Sequence, residues 1–101
     1  MKDRTAIKII KQFGFTESQA KLFYAGFANG PSLMSHLAEK AIIPRGTAYY
    51  LMSELQRRGF FTAKKHGKRT VYVAASGKRL LQMAQEREKL IKKLIYQTKN
   101  L

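Results

Sequence analysis

The residues of this sequence best suited to chemistry are cations and hydroxyls clustered after position 43. They alternate with apolar residues at helical spacing, which predicts one polar face on a short helix. A guanidinium can bond guanine at two positions, and hydroxyls can bond phosphate oxygens. The candidate nucleic-acid contacts of this segment are Arg45, Gly46, Thr47, Tyr49, Tyr50 and Ser53. The plainer alternative is that Tyr49 packs partly into the domain and that Arg45 is only solvated.

A second cationic group follows closely in the sequence. Its members are Lys64, Lys65, His66, Lys68 and Arg69. Their density around one glycine predicts a turn that contacts phosphates across a minor groove, which positions a protein without reading bases. The alternative is a solvated turn whose charge only aids solubility.

A third candidate group lies at the start of a short helix, where backbone N–H groups can hold a phosphate. Its members are Ser32, Ser35 and His36. Ordinary capping and surface exposure explain these three residues equally well.

Catalytic and metal-binding chemistry have little support. The only two histidines, His36 and His66, lie in different predicted elements, and the sequence has no cysteine, so we expect no metal site. The six carboxylates show no pairing suited to acid–base catalysis, and there is no nucleophile motif or glycine-rich phosphate loop. We therefore expect no enzymatic activity and no cofactor.

The composition favours an anionic partner. The 101 residues carry 20 Lys and Arg against 6 Asp and Glu, a formal charge of +14, and such an excess most often serves nucleic-acid binding. Membrane-surface binding is the alternative, but it calls for one strongly amphipathic basic helix, whereas this charge is spread along the chain. No apolar run approaches a membrane span and no signal-peptide core is present, which predicts a cytoplasmic, nucleoid-associated protein that contacts no membrane.

These side chains must be positioned by a small set of elements. The apolar periodicity predicts helices at 3–13, 17–28, 33–40, 44–58 and 77–99, and strands at 60–64 and 70–74 with a turn at 65–69. Thr16 and Gln19 form a capping-box pattern, and Gly59 suits the left-handed residue after a helix. Ala20, Phe23, Tyr24 and Phe27 are predicted to face inward.

The order of these elements predicts a fold. Two short helices joined by about three residues match a helix-turn-helix unit, and the basic hairpin after them is typical of a winged form. We therefore predict a mainly α fold with a small β-hairpin wing. A winged helix-turn-helix domain is expected at 1–75 and a long C-terminal helix at 76–101.

The C-terminal helix is predicted to pair two subunits. Its stripe residues are Leu80, Ala84, Ile91, Leu94 and Ile95, interrupted by Arg87. A helix of about 23 residues spans roughly 34 Å, which is long for folding back on so small a core. Packing against its own domain is the alternative.

Several segments of this sequence resemble the TrmB family of transcriptional regulators. The segment from Gly14 to Ala25, GFTESQAKLFYA, is similar to the family's G-L-T-E-x-E-A-K-x-Y-x-A opening. The likeness continues in register through NGP at 29–31, LAE at 37–39, IPR at 43–45 and GF at 59–60. The resemblance implies a winged helix-turn-helix DNA-binding domain over roughly residues 5–75, followed by a helix that often pairs two subunits.

Four features depart from the family pattern. Ile42 stands where the family usually has Gly at the end of the third helix, and Gly46 stands where Ser is common. Leu33 replaces the usual Ser or Thr cap, so Ser32 is the alternative cap. The family's effector-binding domain has no counterpart in these 101 residues, and no small-molecule effector is expected.

Together these observations predict a sequence-specific regulator that binds double-stranded DNA as a homodimer. Three alternatives stay open at this point. A non-specific architectural protein would use the same charge without base reading, and a protein-interaction module would reuse the fold for docking. RNA binding fits the charge, but single-strand recognition usually needs exposed stacking aromatics on a sheet, and Phe60, Phe61 and Tyr72 look like core.

Overall fold

The computed structural model describes residues 2–99. In chain order the elements are α1 (Lys2–Lys11), α2 (Glu17–Asn29), α3 (Met34–Ala41), α4 (Arg45–Arg57), β1 (Phe61–His66), β2 (Arg69–Ala74) and α5 (Gly77–Lys99). The architecture is mainly α with one antiparallel hairpin, as the sequence predicted. The outermost positions of the two predicted domains, 1 and 100–101, lie outside the described residues.

Helix α2 lies at the centre of the domain and contacts α1, α3, α4 and β2. Its start is the predicted capping box. The Thr16 hydroxyl accepts from the Gln19 N–H at 3.2 Å, and the Gln19 side chain accepts from the Thr16 N–H at 2.9 Å. Two backbone donors are thereby satisfied at the helix start, which fixes where α2 begins.

The predicted inward face of α2 is partly wrong. Phe27 is 45% exposed, whereas Leu22, Ala25 and Gly26 are buried. The reason is that neighbours enclose α2 on more than one side, so its burial does not follow a single stripe. A Cβ built at Gly26 would lie 2.7 Å from the ring of the buried Phe61, and the absent side chain therefore lets β1 approach the helix.

The two helices of the helix-turn-helix unit end in the same way. After α4, the Phe60 N–H donates to the Leu55 carbonyl at 2.8 Å and Gly59, at φ +86°, donates to Gln56 at 3.0 Å. After α3, the Ile43 N–H donates to Ala38 at 3.0 Å and the Ile42 N–H to Glu39 at 3.1 Å. These are paired Schellman-type bonds. At the end of α3, however, a β-branched residue occupies the left-handed position, with φ +56°.

The hairpin is longer and its turn tighter than predicted. The strands run through His66 and resume at Arg69, so the turn consists of Gly67 and Lys68 rather than residues 65–69. Gly67 has φ +63°, and glycine at the first of two central positions is typical of a type II′ hairpin turn. The register pairs Phe61 with Ala74 at the base and His66 with Arg69 beside the turn.

Aromatic rings form the centre of the core, and one partly buried arginine lies over two of them. Phe15, Phe23, Phe60 and Phe61 pack edge to face, with ring centroids 4.7–5.9 Å apart. The Arg58 guanidinium lies 4.8 Å from the centroid of Phe15 and 5.4 Å from that of Phe60. It also donates to the carbonyl before Gly14, at 3.2 Å. Arg58 thus joins the end of α4 to the α1–α2 loop.

Helix α5 leaves the domain as a long arm. Ser76 begins it by accepting from the Arg79 N–H at 3.1 Å. None of the α5 residues that the structure describes is buried, and only Leu80 and Met83 pack against the core. Across residues 2–99, no helix has both the length and the apolarity needed to span a membrane.

Candidate nucleic-acid interface

Helix α4 presents the polar face that the sequence predicted. Its inner face consists of the buried residues Ala48, Leu51, Met52 and Leu55. The exposed candidates are Arg45, Gly46, Thr47, Tyr49, Tyr50 and Ser53. The helix is one residue shorter at each end than expected, because Pro44 is the N-cap and Arg58 the C-cap. Tyr49 and Tyr50 are 47% and 68% exposed, so neither is absorbed into the core.

The hairpin brings two of its cations beside the start of α4. Lys64, Lys65, His66, Lys68 and Arg69 are all exposed. Lys68 and Arg69 join Arg45, Tyr49 and Ser35 around one cleft of about 560 Å³. We call this the recognition cleft. Five residues chosen from separate predicted groups therefore meet at one place, and none of the residues that line it is a carboxylate.

Two further polar residues of the recognition cleft were missed in the sequence. Thr70 and Tyr72 line it from β2, and the pattern made Tyr72 look like core. Side chains alternate between the two faces of a strand, so Thr70 and Tyr72 lie on the same face of β2. This alternation was the sequence signal that could have identified them. Partial burial, and secondarily the neighbouring Tyr49 phenol, raises the pKa of Tyr72 above its ordinary value, so its hydroxyl stays protonated and able to donate.

The third candidate group is divided by the structure. Ser35 and His36 are exposed at the start of α3. Ser32 is only 8% exposed, and its hydroxyl donates to the Gly30 carbonyl at 2.9 Å. The expectation that Ser32 caps α3 is wrong, since the N-cap is Leu33 and no side chain bonds there.

The backbone of Ser32 holds the hairpin in place instead. It exchanges two hydrogen bonds with Tyr72, at 3.0 and 2.8 Å. Since β2 carries recognition-cleft residues and Ser32 precedes α3, these bonds tie the wing to the helix-turn-helix unit.

The α5 stripe is only partly used by its own domain. Leu80 packs against the core, and Ala84 lines a cavity of about 360 Å³ beside Phe60. Further along, Ile91, Leu94 and Ile95 are 52%, 66% and 50% exposed. Ile91 also lines that cavity, but its own domain leaves at least half of each of these three side chains exposed. Among residues 2–99, no three His, Asp or Glu side chains are grouped to hold a metal ion.

Solved structures with the same architecture are winged-helix proteins. A structure of TrmBL2, an archaeal chromatin protein with a novel mode of DNA binding, matches with a TM-score of 0.85 and 18% identity, covering 99% of this chain and 39% of that one. MepR, a transcription regulator of a Staphylococcus aureus multidrug efflux pump, matches at 0.61 and 16%, covering 94% and 74%. Sso10a-2, a DNA-binding protein from Sulfolobus solfataricus, matches at 0.51 and 18%, covering 79% and 86%. At these identities the likeness shows the winged-helix fold.

Sequence comparison identifies the family. No curated protein sequence matches the chain significantly. The chain spans less than half the length of TrmBL2. A family model described as "sugar-specific transcriptional regulator TrmB" matches residues 10–78, and these residues hold the helix-turn-helix unit and the wing. Since that match takes in well over half of the chain, the protein belongs to the TrmB family of transcriptional regulators.

Proposed function

We propose that this chain binds double-stranded DNA as a homodimer and regulates transcription. One observation carries the proposal: Arg45 and Tyr49 of α4 meet two wing cations, Lys68 and Arg69, around the recognition cleft, and no carboxylate is among its lining residues. Such a surface complements the phosphate backbone on both sides of a groove. Binding to DNA would place the protein in the cytoplasm, with the nucleoid.

Each part of the surface has a distinct role in the proposal. The start of α4 enters the major groove, where Arg45 can bond a guanine edge and Thr47 a phosphate or a thymine methyl. The wing cations and the start of α3, with Ser35 and His36, contact the backbone and set the register. Tyr72, which lines the recognition cleft, adds a hydroxyl donor.

The exposed half of the α5 stripe supports the dimer. Because Ile91, Leu94 and Ile95 are at least half exposed, a second copy is the simplest means of covering them. A twofold dimer would place two α4 helices about 34 Å apart, one turn of the duplex.

The dimer has a matched test on one helix. Leu94 and Leu81 are both 66% exposed, but Leu81 lies about 140° around the helix from Leu94. Leu94→Glu should give a monomeric mass by light scattering and weaken operator binding, while Leu81→Glu should leave both unchanged. A dimeric Leu94→Glu protein would contradict pairing through α5.

Fluorescence anisotropy across a salt series tests DNA binding. Duplex from the region upstream of the protein's own gene is compared with random duplex of equal length. A preference of about a thousandfold or more identifies a site-specific regulator. No measurable affinity for either duplex at low salt would refute the proposal.

The wing has its own expected signature in the same assay. Replacing Lys64, Lys65, Lys68 and Arg69 by Ala removes eight cations from a dimer. If all of them contact phosphates, the slope of log K against log salt becomes shallower by about 7, at about 0.9 per contact. A matched control with four α5 cations replaced (Lys78, Lys89, Lys93 and Lys99) should keep most of the slope.

A second candidate function is architectural coating of DNA without sequence preference. Gly46 favours it, because the second residue of α4 has no side chain to read a base. The chromatin protein TrmBL2 also shares this fold at a TM-score of 0.85. Equal and steeply salt-dependent affinity for both duplexes would favour this function over site-specific regulation.

A further inference from the structure

A second basic cleft lies on a different side of the domain. It has a volume of about 780 Å³ and is formed by α1, α2 and the C-terminal end of α3. Its cations are Arg4, Lys8, Lys11, Lys21 and Lys40. We call it the α1–α2 cleft. It shares no lining residue with the recognition cleft, so the contacts proposed above do not account for its charge.

The charge of the α1–α2 cleft is not neutralised internally. Two carboxylates line it, Asp3 and Glu17. Glu17 is shared by Lys11 at 3.6 Å and Lys21 at 3.5 Å, and Asp3 accepts the hydroxyl of Tyr24 at 2.9 Å. Five cations against two carboxylates leave a net charge of +3. In the part of the chain that the structure describes, Arg4, Lys8 and Lys40 form no ion pair.

The arrangement of these cations suits an extended polyanion. Arg4, Lys8 and Lys11 recur at i, i+4 and i+7, which places them in a row about 10 Å long on one face of α1. Lys40 lies across the cleft at the end of α3. A row of charges matches successive phosphates of a nucleic-acid strand better than it matches one compact anion.

The α1–α2 cleft faces away from the hairpin. Phe23 and Gly26 carry the contacts of α2 with Phe61 of β1. Tyr24 and Lys21 line the cleft. They lie about half a turn around α2 from the face that carries Phe23 and Gly26. A duplex held by α4 and the wing would have to bend around the domain to reach the cleft, and bending over so short a distance is costly.

We propose that the α1–α2 cleft is a second DNA-backbone surface, which holds a separate duplex segment while α4 and the wing hold the first. One protomer would then link two duplex segments, and its contacts in the α1–α2 cleft would involve phosphates rather than bases. The inference rests on the proposed function, since the first segment is the one bound through the recognition cleft.

A capture assay separates the two surfaces. The protein is loaded on an immobilised duplex, unbound protein is removed, and a second, fluorescent duplex is added. The cleft variant is Arg4→Gln, Lys8→Gln and Lys40→Gln. The matched control, Lys89→Gln, Lys93→Gln and Lys99→Gln, removes the same charge from α5. Circular dichroism and thermal melting confirm that both variants fold.

The second surface predicts a split between two readouts. The cleft variant should keep its affinity for a single duplex within about twofold but lose roughly tenfold or more of the captured second duplex, because three phosphate contacts are removed. The control should match the unmodified protein in both readouts. The unmodified protein should capture the second duplex with a salt dependence of its own.

Four results would overturn the inference. Unchanged capture by the cleft variant would mean that the two recognition clefts of a dimer do the linking. An equal loss of single-duplex affinity would place the α1–α2 cleft in the first footprint. Equal loss in the control would indicate a general charge effect, and absence of capture by the unmodified protein would exclude a second duplex. Failure to bind even the immobilised duplex refutes the proposed function instead, so the two failures are distinguishable.

Discussion

Replacing Ile42 by Gly is expected to stabilise the domain, although Ile is the larger and more apolar residue. Ile42 has φ +56° and is 89% exposed. The left-handed conformation costs an L residue about 1–2 kcal/mol. Glycine removes that cost but loses about 0.5–1 kcal/mol through its freer unfolded chain. Since the exposed side chain contributes little burial, the net gain is about 0–1.5 kcal/mol, or roughly 0.75 kcal/mol at the midpoints.

Thermal and urea unfolding measure this gain. For a domain of this size it corresponds to a rise in Tm of about 4 °C. Ile42→Asn should give part of the stabilisation expected for Ile42→Gly, because Asn tolerates the left-handed region. Ile42→Val should give no stabilisation. All variants are compared at one protein concentration, since the proposed dimer would make stability depend on concentration.

The same motif at the end of α4 supplies the reverse experiment. A Cβ at Gly59 would meet only the Met83 methyl, at 4.0 Å, so Gly59→Ala introduces conformational cost without a clash. It should lower stability by about 1 kcal/mol. The reasoning is refuted if Ile42→Gly leaves stability unchanged or lowers it while Gly59→Ala is harmless, because two matched helix ends would then not obey one conformational rule.

Three further substitutions test other parts of the fold. Gly26→Ala should destabilise by about 1–3 kcal/mol, because its Cβ would lie 2.7 Å from the Phe61 ring; urea unfolding measures the loss, and an unchanged midpoint would contradict the close packing. Arg58→Ala should cost about 2 kcal/mol through the lost bond to Phe13 and the lost ring contacts. Arg58→Lys should restore little of the lost stability. Full restoration would mean that Arg58 acts only through its positive charge. Gly46→Ala should raise Tm, since nothing lies within 4 Å of its Cβ and alanine favours the helix by about 1 kcal/mol; a lower Tm would indicate a conformational need for glycine.

Local chemistry explains what could be predicted from the sequence. The capping box of Thr16 and Gln19 and the helix end at Gly59 depend on hydrogen bonds to residues a few positions away. Such local features can be predicted from the sequence. The exposed face of α4 was also predictable, since its apolar residues recur at helical spacing.

Tertiary neighbours decide the features that were not predictable. Phe27 is exposed because α2 is enclosed on its other sides, and the backbone of Ser32 pairs with Tyr72 of β2, a partner from a distant part of the sequence. Arg58 reads as one more surface cation, yet its guanidinium lies over two core rings. Ile42 itself gives no sign of the left-handed geometry, and the only signal was that the family usually has Gly at this position, as the motif prefers.

The placement of the tyrosines gives the protein a built-in optical signal. The sequence has five tyrosines and no tryptophan, so its near-ultraviolet emission is tyrosine emission alone. Tyr49 and Tyr72 line the recognition cleft, and Tyr24 lines the α1–α2 cleft. The arrival of a duplex at either surface can therefore be followed without a label, and Tyr24→Phe or Tyr72→Phe would assign each spectral change to one side of the domain.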